Sequence, residues 1–176
     1  RVHFEAPPSS SLQGEMTAFI EWFNTTGPNG SKVIIHAPVR AAIAHLYFES
    51  IHPFEDGNGR IGRALAEKAL AQSTGYPGLS SLSFTIERNK KEYYRQLETA
   101  QRSNEISDWI KYFVSTVAEG QKFAQEIVDF TLLKSKYFDR YSKQLKTTQL
   151  KVIQRMLSEG PGGFKGGMTA TKYSRL

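Results

Sequence analysis

Positions 52–63 read His-Pro-Phe-Glu-Asp-Gly-Asn-Gly-Arg-Ile-Gly-Arg, and almost every residue type in that run is one that phosphate chemistry uses. Gly57 and Gly59 let a backbone turn tightly and approach an anion closely. Asn58, between them, tolerates unusual backbone angles and adds amide donors. Arg60 and Arg63 are spaced to share one face of a first helical turn, where two guanidinium forks suit a polyphosphate. Asp56 would repel phosphate unless a Mg²⁺ stood between them, since that ion takes one or two carboxylates plus phosphate oxygens. His52, at the other lip, is a candidate general base for a hydroxyl nucleophile. Each residue also has a plainer reading: His52 as a helix end, Asp56 as an N-cap, Gly-Asn-Gly as a turn, the arginines as surface residues, and Phe54 as a core anchor for the loop. The coincidence of all these types at fixed spacing favours the chemical reading: an anion cradle, two cations, a metal ligand and a base.

Such a run works only if one helix delivers His52 and another starts just beyond Gly57. The pattern provides both. A helix is predicted from Pro38 to Ile51, with Ile43, Leu46, Tyr47 and Ile51 inward, and another follows the loop with Ile61, Leu65 and Ala69 on one face. The free N–H groups and positive dipole end of that second helix make a ready anion site. Upstream, Met16, Phe19, Ile20 and Phe23 mark an amphipathic helix that Gly27-Pro28-Asn29-Gly30 ends. Downstream, Gly75-Tyr76-Pro77-Gly78 is a stop, and residues 79–86 read as a loop or a helix entry. One helix is expected over 88–102, and a long one is capped by Ser107, with Ile110, Phe113, Val114, Val117, Ala124, Ile127 and Val128 in period. More helix runs through 131–145, and Leu150, Ile153 and Leu157 mark a last one before Gly160-Pro161-Gly162-Gly163. No repeat and little strand signal occur, so the expected architecture is an all-α bundle.

The 176 residues suffice for one domain and a small appendage. No cysteine is present, which removes disulfides and thiolate metal sites and fits a reducing, cytoplasmic setting. No apolar run reaches the length of a membrane span, so no membrane partner is expected. The N-terminus has neither a signal-peptide pattern nor a starting Met, and reads as the interior of a longer protein. The net charge of +6 is uneven: residues 130–176 carry 10 Lys/Arg against 2 Asp/Glu, while 1–129 carry 13 against 15. A basic tail can attract nucleic acid, or simply form a solvated helix face.

Residues 52–63 match every fixed position of H-x-F-x-[D/E]-G-N-G-R-x-x-R, and on that motif the chain resembles the Fic family. Ala41-Ala42-Ile43-Ala44-His45-Leu46 before the motif, and Tyr93-Tyr94 and Asp108-Trp109-Ile110 after it, are similar to that family too. The resemblance implies a Fic-type helical bundle over residues 1–135, a helical linker over 136–147, and at 148–176 the start of an incomplete winged-helix module that could meet DNA. It implies a protein adenylyltransferase that moves AMP from ATP, with Mg²⁺, onto a Ser, Thr or Tyr hydroxyl of a target protein or of itself. In that scheme His52 deprotonates the hydroxyl and Asp56 holds Mg²⁺. Gly57, Asn58 and Gly59 form the anion hole, Gly62 counts among the phosphate-side residues, and Arg60 and Arg63 hold the outer phosphates. Tyr93, Tyr94 and Gln101 contact adenosine, and Val2, His3 and Phe4 form one strand of a flap hairpin that docks the target. Relatives that remove AMP with the same site, and a nucleotide-sensing DNA-binding regulator, are the alternatives. Many relatives are restrained by a helix bearing [S/T]-x-x-x-E-[G/N]. Ser115–Gly120 fits that pattern on paper, but Phe113, Val114 and Val117 around it read as core, so an inhibitory helix is expected outside this chain.

Overall fold

The structure is a computed structural model and describes residues 5–75, 78 and 82–174. Every regular element among them is helical: α1 Leu12–Thr25, α2 Ala37–Ile51, α3 Asn58–Thr74, α4 Leu82–Arg88, α5 Lys90–Ala100, α6 Ser107–Tyr141, α7 Thr147–Leu157 and α8 Ala170–Tyr173, with a 3-10 turn at Ser142–Gln144. This is the all-α fold that the pattern predicts. The flap strand expected at Val2, His3 and Phe4 lies outside the described residues. Two compact units emerge, residues 1–121 and 122–176. No helix among the described residues is long and apolar enough to cross a membrane.

The first unit is built around α2. Pro38 sits in its first turn, where a missing N–H costs nothing. From there Arg40, Ala41, Ala42, Ala44, His45, Leu46, Phe48, Glu49 and Ile51 are all buried. A helix hidden on every side is a core helix, so the one-sided stripe expected from Ile43, Leu46, Tyr47 and Ile51 is too narrow. The alanines let neighbours approach closely. Phe19 and Phe23 of α1 pack on one side, where Phe19 meets Tyr47 edge-on at 5.3 Å and Phe48 at 5.8 Å. The buried stripe of α1 passes through Phe19 and Phe23, and Ile20, a third of a turn away, is 52% exposed. Trp109 of α6 covers another side, and its indole N–H donates to the Ala42 carbonyl at 2.9 Å.

Arg40 ties the unit together. It is 1% exposed. Nη2 donates to the Phe23 carbonyl at 2.6 Å, Nε to Thr26 Oγ1 at 3.2 Å, and Nη1 to Gln72 Oε1 at 3.0 Å and the Ala69 carbonyl at 3.4 Å. Its guanidinium also lies over the Phe23 ring at 4.4 Å. One side chain therefore satisfies the end of α1 and the last turns of α3 from within α2.

Two boundaries differ from the periodicity. The stretch read as a loop or helix entry holds α4, whose Leu82, Thr85 and Ile86 are buried. The single helix expected over 88–102 is broken at Asn89. Its N–H closes α4 on the Ile86 carbonyl at 3.0 Å, and its carbonyl opens α5 by accepting from Tyr93 N–H at 3.1 Å. Asn commonly ends helices, because its short polar side chain competes with the helical ladder. In the other direction, α6 runs unbroken through the interval where the sequence suggests two helices. Its buried residues, Trp109, Phe113, Thr116, Val117 and Gly120, all lie in its first half. Within Ser115–Gly120, Thr116, Val117 and Gly120 are buried, while Ser115, Ala118 and Glu119 are exposed.

In the second unit, α7 and the end of α6 line an apolar groove of about 420 Å³ bounded by Phe130, Leu133, Tyr137, Ile153, Met156 and Leu157. The N–H of Lys146 at the start of α7 donates to Gln149 Oε1 at 2.9 Å, and Thr169 Oγ1 caps α8 by accepting from Lys172 N–H at 3.3 Å.

Removing the Arg40 guanidinium strands three buried acceptors, Thr26 Oγ1 and the Phe23 and Ala69 carbonyls. Arg40→Ala is expected to cost about 3 kcal/mol or more in the urea midpoint at constant slope, with Arg40→Lys restoring little because an ammonium cannot span the same fork.

Candidate active site

The loop between α2 and α3 begins with backbone strain. His52 closes α2 by donating its N–H to the Phe48 carbonyl at 3.0 Å, and does so at φ 50°. It is the one non-glycine residue with positive φ among the described residues. Such a conformation disfavours a side chain and persists only where the surroundings fix it. Here it turns the chain sharply and leaves the His52 side chain exposed at the mouth of the loop. The turn then ends at Gly57, φ 91°, which is the N-cap of α3 and could not be another residue without strain.

Asn58 holds the loop shut. It is 3% exposed. Its Oδ1 accepts from Phe54 N–H at 3.0 Å, and its Nδ2 donates back to the Phe54 carbonyl. The side-chain amide, read from sequence as a donor to phosphate, is therefore engaged with the loop. What Asn58 offers an anion is its backbone N–H at the helix start. Phe54, expected as a core anchor, is 48% exposed and lies beside Phe48 at 6.4 Å between ring centres. The anchor is Asn58.

The charged residues fall on the outer side of this turn. Asp56 accepts from Arg60 Nη2 at 2.8 Å, and both side chains are largely exposed. An exposed pair of this kind is worth little and exchanges readily for a bound ion. Arg63 is held more firmly: its Nε donates to Ser83 Oγ of α4 at 3.1 Å. Glu67, one turn further along α3, accepts from the Leu82 N–H, and burial raises its carboxyl above the ordinary carboxylate range against the pull of Arg63. No cluster of three or more potential metal-binding side chains occurs among the described residues. The donor set is a single exposed carboxylate, which fits an ion that arrives with phosphate and water ligands.

Gly62 packs inward. A Cβ there would stand 2.6 Å from Glu49 Oε1 and 3.0 Å from His45 Nδ1, so the lack of a side chain is what lets α3 lie against α2. Both of those α2 atoms are buried and lack a hydrogen-bond partner. His45 is stacked on Trp109, packed by Phe113, and joined through Nε2 to the Tyr93 hydroxyl at 2.8 Å. Burial lowers its pKa to about 4; the nearby Gly62 backbone opposes this without reaching hydrogen-bond geometry, and the Arg63 charge adds to the fall. Burial raises the Glu49 carboxyl, while His52 and then Arg63 draw it down.

The structure thus brings His52, Asp56, Gly57, Asn58, Arg60 and Arg63 around one turn. It places Tyr93 in the core, 3% exposed, with Tyr94 beside it at 56% and open to solvent. Gln101 caps α5 and donates from Nε2 to the Glu49 carbonyl at 3.3 Å. Sequence reasoning missed His45, Glu49, Glu67 and Ser83. The first two carried a legible signal: they lie one helical turn apart on a largely apolar helix.

Residues 1–70 match the Fic/DOC family. A probable protein adenylyltransferase of Aquifex aeolicus is 31% identical over 98 residues, which is 56% of this chain and 27% of that protein. A protein adenylyltransferase Fic of Nematostella vectensis is 31% identical over 60% of this chain and 22% of its own length. One from Drosophila mojavensis is 32% identical over 64% of this chain and 20% of its own. The chain therefore spans about a quarter or less of the curated relatives it matches. The crystal structure of a Fic family protein from Desulfovibrio desulfuricans G20 superposes with a TM-score of 0.58, covering 97% of this chain and 44% of that one at 22% identity, which speaks to the fold. Over residues 1–70 the chain is similar to the Fic/DOC family.

Gly62→Ala tests the packing. Its Cβ has no room against Glu49 and His45, so α3 must shift. A loss of about 1–3 kcal/mol in unfolding free energy is expected by chemical denaturation.

Proposed function

We propose that this chain transfers AMP from ATP to a Ser, Thr or Tyr hydroxyl of a target protein, its own hydroxyls included. The observation that carries this reading is the convergence of His52, Asp56, Arg60 and Arg63 on the turn that opens α3, in a chain whose relatives are named protein adenylyltransferases.

In this reading the target hydroxyl attacks the α-phosphorus of ATP. A new oxygen–phosphorus bond forms, the bond from the α-phosphorus to the bridging oxygen breaks, and pyrophosphate leaves. His52 takes the hydroxyl proton at its exposed imidazole, which the left-handed backbone holds at the loop mouth. The first N–H groups of α3 and the dipole of that helix receive the phosphate charge. Arg60 leaves Asp56 for the outer phosphates, and Arg63, already steadied by Ser83, meets them with little reorganisation. Asp56, freed from Arg60, would hold a Mg²⁺ ion, which supplies charge neutralisation between the carboxylate and the phosphates. Tyr94 offers an exposed ring beside the site for the adenine, while Tyr93 supports it from the core.

The test uses ATP labelled at the α-phosphorus or, separately, at the γ-phosphorus, incubated with the chain, Mg²⁺ and a lysate. Label from the α-position is expected on protein, and label from the γ-position is not. His52→Ala should lower the transfer about 100-fold or more without loss of helical content. Undiminished transfer by that variant, or transfer of the γ-label, would overturn the reading.

A further inference from the structure

Glu49 lies on α2 one turn before His52, and its carboxyl points under the start of α3. Its Oε1 is the only buried carboxylate oxygen among the described residues that lacks a hydrogen-bond partner, and His45 Nδ1, one turn earlier, lacks one too. Both atoms face Gly62. The same oxygen would be 3.8 Å from a Cβ on Gly59, a position 3.2 Å from Arg63 Nη1. It therefore sits between a histidine that needs a partner and the guanidinium that the nucleotide reading assigns to phosphate.

We propose that Glu49 belongs to the phosphate cradle as a neutral acid: with polyphosphate bound, its carboxyl carries a proton and donates it in a hydrogen bond to His45 Nδ1. This rests on the reading of Arg63 as a phosphate-holding residue. The groups that face Glu49 leave it few other options. From α2 these are His45 and, at the helix end, His52; from α3, Arg63; from α5, the Tyr93 phenol, while Gln101 reaches only the Glu49 backbone carbonyl. The α6 side offers Trp109 and Phe113, which stack on His45 and carry no charge. The direction of the hydrogen bonds is consistent throughout. A neutral His45 that accepts at Nδ1 keeps its proton on Nε2, where the Tyr93 oxygen lies at 2.8 Å.

Charge decides the protonation. In the free chain His52 and Arg63 offset a negative Glu49. When polyphosphate engages those cations, a buried carboxylate beneath the turn loses its compensation and faces like charge across a poorly screened interior. Taking up a proton removes both penalties and satisfies both unpaired atoms. By reciprocity, protonation of Glu49 and binding of polyphosphate strengthen each other, so affinity falls as pH rises through the Glu49 titration.

The probe is inorganic triphosphate, titrated calorimetrically into the full chain and into Glu49→Gln over a series of pH values from the acidic to the alkaline limit at which both proteins stay folded. Glutamine is permanently neutral and can donate to Nδ1 as the acid does. The ligand's own titration is common to both proteins and cancels in their ratio. Glu49→Gln is expected to bind about fivefold or more tightly than the wild type at the alkaline end, and the two should converge at the acidic end. A variant that binds more weakly at both ends, or a ratio that does not move with pH, overturns the proposal. Infrared difference spectra of the wild type serve if the variant does not fold. Triphosphate should raise a protonated-carboxyl carbonyl band at the alkaline end, and its failure to appear counts equally against the idea. Arg63→Ala separates the two readings: if it binds triphosphate as well as the wild type, the assignment of the cradle itself fails, and the Glu49 proposal fails with it.

Discussion

The close approach of α2 and α3 at Gly62 is the constraint on which the site depends. His52 is delivered by the end of α2 and the Gly57 turn opens α3. The gap between the His52 side chain and that turn is therefore set where the two helices touch. At that point α3 presents a glycine whose missing Cβ is replaced by the side chains of Glu49 and His45. Bury a helix this deeply and its polar residues must find partners within the core. His45 does so through Tyr93 and an aromatic stack with Trp109, and Arg40 does so through four acceptors on α1, α3 and the turn after α1. The polar groups of α2 thus fix its rotation and depth, which hydrophobic burial alone would leave loosely specified.

The two arginines of the motif do different work. Arg60 is exposed and paired with Asp56, an arrangement that a ligand can exchange because water already screens it. Arg63 is steadied by Ser83 and lies among Glu49 and Glu67, whose carboxyls are both held high by burial. One cation lies in solvent on an exposed partner; the other is held by a side chain of α4, next to carboxyls that burial raises. That division suits phosphoryl chemistry, where positioning and charge stabilisation supply most of the effect.

Much of this could be read from residue order. The loop flanked by two helices, the all-α class, the stop at Gly75 and the long helix from Ser107 follow from hydrophobic period and turn residues, which are local properties. The break at Asn89 was missed because Lys90 to Ala100 continues the helical composition, and a single Asn ends a helix only where packing rewards the turn. The roles of Asn58 and Phe54 were exchanged for a similar reason: an aromatic looks like an anchor and an amide like a donor, and only their surroundings show which one is buried.

The sequence by itself determined the chemical inventory and its local geometry: a histidine, a carboxylate, a flexible turn and two guanidinium groups at spacings that a helix–turn–helix places together. It did so because residues a few positions apart cannot escape one another. Tertiary structure alone decided what lies beneath that turn. That Glu49 and His45 face Gly62, that Ser83 steadies Arg63 and that Tyr93 turns inward depend on helices distant in sequence meeting at one place. Burial and electrostatic coupling act through space, so no spacing along the chain encodes them.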